Sequence, residues 1–366
     1  MSAKASGRES SQGAPQRGFD AELAALEALG EAMKAGAALD AAAVELLRRA
    51  LNNRNNFLVS KAAKLVAEGE AAALLPEVLA AYDRFFHDAA KTDPKCWAKE
   101  ALAKALVKLE HLGKDAYLRG LRHHQMEASW GPPVDSAGGL RAACAHALVA
   151  CPGIPDDELV ALLLEALVDP DKSVRVEAAR AIGNVGGTGA ALALRLRALM
   201  GLVKPDLDTP EVLGAVYAAL LSLEGVEAIK LVAAVLEDGD DLAGEAAFAL
   251  AETRLPEALG VLIAQLGGTG QKAPDPWFVG VLTSAIAMSR LAEALDFLIR
   301  QVERESRYAP AALEALGRIA PSPEVQARIE KAVEATGSER LRATFEEHFA
   351  FQERSDFQEN SGAPLP

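Results

Sequence analysis

Five of the six histidines, His87, His111, His123, His124 and His146, fall in one window with Cys96 and Cys144. Imidazole and thiolate are the ligands a transition metal prefers, so a converging set would be a metal site. The spacing argues against convergence. His123 and His124 are neighbours, about 100° apart on a helix, and no His-x-x-x-His or Glu-x-x-His pair supports them. Solvated or capping histidines are the simpler reading. The three cysteines lack metal-knuckle spacing. Cys144 and Cys151 sit on one predicted helix, roughly 10 Å apart in rise and beyond disulfide reach. Reduced thiols in a cytosolic (cytoplasmic) protein follow, with no cofactor expected.

A second cluster is basic: Lys91, Lys95, Lys99, Lys104, Lys108, Lys114, Arg119 and Arg122, interleaved with Asp93, Glu100, Glu110 and Asp115. Lysines every four residues or so on one helix read as a solvated outer face, with Trp97 directed to the core. No phosphate-binding Gly-x-x-x-x-Gly-Lys, nucleophile elbow or dinucleotide fingerprint is present. The glycine-rich Gly267-Gly268-Thr269-Gly270 follows no strand and reads as a flexible loop.

The elements that position these residues are helices. Half of the 366 residues are hydrophobic but only 5% are aromatic, so the core is built of Ala, Leu and Val, which suits closely packed helices better than sheets. The clearest stretch is Asp169 to Gly187. Asp169-Pro170 stops one helix, and Val174, Ala178, Ile182 and Val185 form one stripe of the next. Gly183, Gly186 and Gly187 are read as its end. The preceding helix, Asp157 to Val168, carries its own leucine stripe, and two such helices need stacked neighbours to bury both faces.

The leucine-rich first helix, Asp169-Pro170-Asp171, and then Val174-Arg175 followed by Ala178, Ala179 and Ile182 resemble a HEAT repeat of the bacterial, bilin-lyase-like type. The resemblance implies an all-α fold, an α-solenoid of about nine HEAT-like helical hairpins, with Asp169 and Arg175 in a structural ladder of paired charges along the turns. Residues 1–18 are expected to be a disordered tail, 19–351 the solenoid and 352–366 a second disordered tail. The expected hairpins include Asp40 to Leu51 with Asn56 to Ala67, Ala71 to Ala89 with Pro94 to Leu112, and Lys114 to Met126 with Leu140 to Cys151. Later ones include Gly189 to Leu202 with Thr209 to Leu223, Val226 to Glu237 with Asp241 to Glu252, and a last pair, Pro323 to Ala335 with Ser338 to Phe351. No run of eighteen apolar residues spans a membrane.

Three functional readings follow. The HEAT di-iron hydroxylases carry repeated His-Glu dyads, and no His-Glu dipeptide occurs here. HEAT-like DNA glycosylases use a basic concave groove. Residues 1–183 carry a net charge of −3 and residues 184–366 a net charge of −11, and an acidic half repels phosphate backbones, which makes nucleic acid an unlikely partner. The preferred reading is a non-catalytic scaffold for a protein or peptide, with a HEAT-type enzyme subunit, a chromophore lyase or a DNA-lesion-binding protein as alternatives. Long connections, Glu127 to Gly139, Lys204 to Asp208 and Gly267 to Pro276, mark a binding edge, and Trp130 and Trp277 are its candidate anchors. The concave surface is expected to present second-helix residues one before and two and six after each anchor position. These include Glu177, Arg180, Asn184, Glu245, Phe248, Glu252, Val281, Ser284, Met288, Ala311, Glu314 and Arg318.

Overall fold

The computed structural model describes residues 13–204, 208–268 and 274–359, with side chains over 18–204, 208–268 and 274–349. The described chain is all-α apart from one two-residue β-ladder. In order the helices begin α1 (Gly13–Lys34), α2 (Ala41–Leu51), α3 (Asn56–Glu68), α4 (Leu75–Arg84), the single turn α5 (Ala89–Thr92), α6 (Trp97–Lys108) and α7 (Lys114–Leu121). After strands β1 (Met126–Glu127) and β2 (Val134–Asp135) come α8 (Gly138–Leu148), α9 (Asp156–Ala166), α10 (Lys172–Val185) and α11 (Gly187–Val203). There follow α12 (Pro210–Glu224), α13 (Val226–Ala233), α14 (Asp241–Glu252), α15 (Pro256–Gly267) and α16 (Pro276–Met288). The chain closes with α17 (Ala292–Glu303), α18 (Ala309–Arg318), α19 (Pro323–Thr336) and α20 (Glu339–Glu359).

The chain divides into two compact units, the first ending at Ala178 and the second starting at Ala179. In the first unit α3 packs on α6 and α6 on α8, while α2, α4 and α7 flank them. In the second, α12, α14, α16, α18 and α20 pack in succession, with first helices such as α17 and α19 laid beside them. The seams are filled by small and branched apolar side chains; Ala101, Leu102, Leu106, Ile182, Val216, Ala246, Leu282 and Ala312 are all buried. Complete burial of each leucine or isoleucine contributes about 1.5–3 kcal/mol, and the alanines let neighbouring helices approach closely.

Helix starts follow local chemistry. Asp40, Asn55, Asp240 and Asp275 accept backbone N–H bonds at the N-caps of α2, α3, α14 and α16. Pro210, Pro256, Pro276 and Pro323 occupy first-turn positions, where the missing N–H costs nothing.

Several expectations change. Helix α1 begins at Gly13, inside the span 1–18 expected to be disordered, and α20 runs to Glu359, inside the span 352–366; residues 1–12 and 360–366 lie outside the described residues, as do 205–207 and 269–273 of two long connections. The expected helix Ala71 to Ala89 stops at Arg84, and Asp88 takes a positive φ before α5. The expected helix from Pro94 starts only at Trp97, because Lys95 (φ 62°) and Cys96 (φ 56°) are both left-handed. Gly183 does not end α10. A Cβ there would lie 2.8 Å from Ala219 Cβ, so the glycine lets α10 and α12 touch. Gly186 and Gly187, with φ of 78° and 81°, make the reversal into α11.

Candidate functional site

A buried polar network in the first unit sets its geometry. Asp93, fully buried, accepts from the Ala98 and Lys99 backbone N–H groups at 2.8 and 3.0 Å, from Asn56 Nδ2 at 2.9 Å and from Lys99 Nζ at 3.0 Å. Lys99 Nζ also donates to Gln125 Oε1 at 2.9 Å and to the Phe85 carbonyl at 3.3 Å. Lys99 is therefore a fully buried ion-pair partner, not part of a solvated face, because Asp93 and two oxygen acceptors satisfy all three of its N–H bonds.

Asp169 and Arg175, expected in a ladder of paired charges, take different partners. Asp169 receives the Arg141 guanidinium in a two-pronged contact, Nε to Oδ2 at 2.8 Å and Nη2 to Oδ1 at 2.9 Å. Arg141 Nη1 reaches back to Asp135 Oδ2 at 2.8 Å and to the His123 carbonyl at 3.0 Å. Arg175 donates to the Asp169 and Pro170 carbonyls at 2.7 and 2.9 Å. The Arg141 rung thus joins one hairpin to the next, whereas Arg175 braces its own turn. Burial works to raise the Asp135 carboxyl, but the Gln125 and Ala137 N–H groups, His124 and the Arg141 cation outweigh it and hold the carboxyl well below the usual carboxylate range.

From this network an arm projects. Strands β1 and β2 pair Met126 with Asp135 and Glu127 with Val134, and Glu127 Oε1 accepts from Gln125 Nε2, Ser136 Oγ and the Lys95 N–H at 2.6–2.7 Å. Burial works to raise Glu127, but these bonds prevail and lower it. Trp130 at the arm's tip is entirely exposed, and Met126 and Val134 on its stem are also exposed. The arm shortens the expected helix Lys114 to Met126, since Gln125 turns its backbone to Asp135 and Ser136 instead.

Beside the arm's base lies an open groove of about 970 Å³. Its floor is the α6 stripe Trp97, Glu100, Ala101, Lys104, Val107 and Lys108, at three- and four-residue spacing. One wall is Phe57, Ser60 and Lys64 of α3, and the other is Ala142, Ala143 and His146 of α8, with Ser173 and Glu177 of α10 beyond. Trp97 is 44% exposed, a correction to its expected core position. It leans on Phe57 with ring centroids 5.8 Å apart, under Lys95 Nζ at 5.1 Å. Gly139 gives Glu100 room against α8, since a Cβ there would overlap Glu100 Oε2. Lys104 pairs with Glu100 at 2.6 Å, and His146 faces Glu177 at 3.6 Å. The turn that leads into α6 is the left-handed pair Lys95 and Cys96, each costing about 1–3 kcal/mol of backbone strain and fixed by Asp93 and Glu127.

In the second unit Trp277, half-exposed at the start of α16, stacks on Phe278 and borders two cavities of about 290 Å³ each. Glu245 and Phe248 share the first with it; Val281, Ser284, Ala311, Glu314 and Arg318 line the second. Glu252 lines another cavity of about 500 Å³ with Ala218 and Ser222. Arg180 and Asn184 are exposed on α10, and Met288 is exposed at the end of α16. Trp130 belongs to the first unit, and Trp277 to the second.

The groove residues of α3, α6 and α8 were absent from the expected binding set. The offset rule that places Glu177, Glu245 and Phe248 also places Glu100, Val107, Ala143 and His146 when applied around Ala101 and Cys144. The ladder partner had a signal too: Asp93 and Lys99, Asp135 and Arg141, and Asp169 and Arg175 share one spacing. Burial pushes the Cys96 and Cys144 thiols up to about 12, so they stay protonated and unreactive; all three cysteines are free. Among the described residues no group of three or more His, Cys, Asp and Glu is placed to hold a metal ion, and no helix is long and apolar enough to cross a membrane.

No protein-family model matches the chain, and no curated protein matches it. Among solved structures it is similar to the crystal structure of an engineered protein from the Northeast Structural Genomics Consortium. The identity is 17%, over 89% of this chain and 91% of that one, with a TM-score of 0.34, too low to bear on function.

Proposed function

We propose that the chain is a cytosolic HEAT-type α-solenoid scaffold that holds a peptide, or one helix of a protein partner, in the groove of its first unit. The arm carrying Trp130 supplies a second contact, tied by Glu127 to Lys95, which lies over the Trp97 ring. What carries this reading is the α6 stripe from Trp97 to Lys108. It is an open floor with aromatic, aliphatic and charged side chains at helical spacing, the surface into which an amphipathic segment lays its apolar face. Backbone strain at Lys95 and Cys96, in the turn that starts α6 at the exposed Trp97, supports a binding role for this end of the helix. Lys104 pairs with Glu100 and His146 with Glu177 along the groove, and neither pair is directed at a single reacting atom, which favours a scaffold over a lyase or glycosylase.

Panning a random twelve-residue peptide library on the full chain tests the reading. Binders are expected whose affinity falls at least tenfold in Trp97→Ala while the far-UV circular dichroism is unchanged. A library yielding no binder, or binders indifferent to both Trp97→Ala and Trp130→Ala, overturns it.

A further inference from the structure

The second unit's cavities differ in charge from the groove of the first. In the first unit the buried positions six residues after the turn aspartates hold cations, Lys99 and Arg141, each closed onto carboxylates of this chain. Six residues after Asp208 stands Gly214, and a Cβ there would meet Glu245 Oε2 at 2.6 Å and Glu245 Cβ at 2.8 Å. The missing side chain is what lets the Glu245 carboxylate lie against α12. Asp208 takes its cation from elsewhere, from Arg197.

Glu245 is half-buried and receives no hydrogen bond or ion pair from a described residue. It sits in a cavity of about 290 Å³ between Phe248 and the half-exposed indole of Trp277, with Glu211 and Asp241 on the same wall. Gly244 forms the floor beneath the indole, 3.5 Å from Trp277 Cη2 to the place a Cβ would occupy. On the other side of the indole, Arg318 is already paired with Glu314.

We infer that this cavity, by itself, receives an arginine or lysine side chain of a basic peptide, its cation over the Trp277 and Phe248 rings and against Glu245. The inference rests on the peptide-scaffold reading above and adds the chemistry of the partner. An aromatic face attracts a cation through its quadrupole, and a carboxylate removed from water without a partner is stabilised by an incoming one. Burial, followed by the Glu211 charge and by Glu252 and Asp241, raises Glu245 above its ordinary value; Arg180 opposes the shift without cancelling it. A bound cation would reverse that shift. The second half of the chain, with its net charge of −11, draws a basic segment toward the same place.

The panned library decides it. Among selected peptides, those weakened by Trp277→Ala are expected to share an arginine or lysine, to lose at least tenfold in affinity to Glu245→Gln, and to lose as much when that arginine is replaced by citrulline. Citrulline keeps the shape and removes the charge, so this last arm requires no change in the protein. Selected peptides that lack a shared cation, bind Glu245→Gln within threefold, tolerate citrulline or are all indifferent to Trp277→Ala overturn the inference while leaving the scaffold reading in place. A library that yields no binder removes both.

Discussion

Replacing Arg141 by methionine removes the cation of the central rung and keeps a side chain of similar length. The guanidinium makes two bonds to Asp169, one to Asp135 and one to the His123 carbonyl, with Arg141 and Asp169 side chains 2% and 7% exposed. Solvent screening is therefore slight, and the variant strands Asp169 with only the Asp171 N–H at 2.8 Å. Removing one partner of a buried pair costs about 3–5 kcal/mol, mostly the desolvation of the charge left behind. Asp135 loses less, since the Gln125 and Ala137 N–H groups still hold it. Adding Asp169→Asn to Arg141→Met takes that stranded charge away, so the double variant should be less destabilised than the sum of the singles by about 2 kcal/mol. Arg141→Lys should recover only part of the loss, because one ammonium cannot match both oxygens of Asp169. Urea unfolding of the full chain, followed by far-UV circular dichroism, measures the four variants beside the wild type. A cost below about 1 kcal/mol for Arg141→Met, or strict additivity in the cycle, would refute the view that the rung joins the hairpins.

Three further outcomes are expected. Ile182→Asp places a charge at a fully buried site and should lower stability by several kcal/mol; an unchanged melting temperature would contradict the packing of α10. Trp130→Ala should leave the melting temperature within about 1 °C, since surface changes stay near ±0.5 kcal/mol; a loss of about 3–5 kcal/mol would mean the arm is folded onto the core. The pH dependence follows from two groups. His123 is kept below its ordinary value by burial, so the unfolded chain takes up the proton first and stability begins to fall below about pH 6.5. Asp135 is depressed when folded, so its contribution is complete above about pH 3.9 and is lost as the pH falls through the folded value. Urea midpoints that stay flat from pH 7 to pH 5 would sink the His123 part, and midpoints rising below pH 4 the Asp135 part.

The sequence shows helices where periodicity and capping agree. Asp241 to Glu252 is α14 with both ends in place, because Asp240 caps it and an alanine-rich stripe runs its whole length. It misleads where tertiary bonds override propensity. Residues 94–96 read as helix by pattern, yet Asp93 draws the Ala98 and Lys99 N–H groups to itself and forces Lys95 and Cys96 left-handed. Lys99 shows the same limit. Its four-residue spacing from Lys95 and its neighbourhood of lysines describe a solvated face, and only the approach of Phe85, Asp93 and Gln125 from three different segments makes it a buried cation.

The candidate binding surface was legible to the same degree and for the same reason. An offset rule on second helices reaches Glu177, Glu245 and Phe248, which line cavities, because helical spacing is local. Trp97 escapes it, because its exposure depends on where the strained turn before α6 starts the helix. That dependence ties stability to binding. Asp93 holds the turn, the turn sets the register of α6, and the register puts Trp97 on the groove floor rather than in the core. Asp93→Asn should therefore change peptide affinity at the groove as well as stability. Affinity unchanged in a variant that has lost stability would separate the two and break the link between the buried network and the groove.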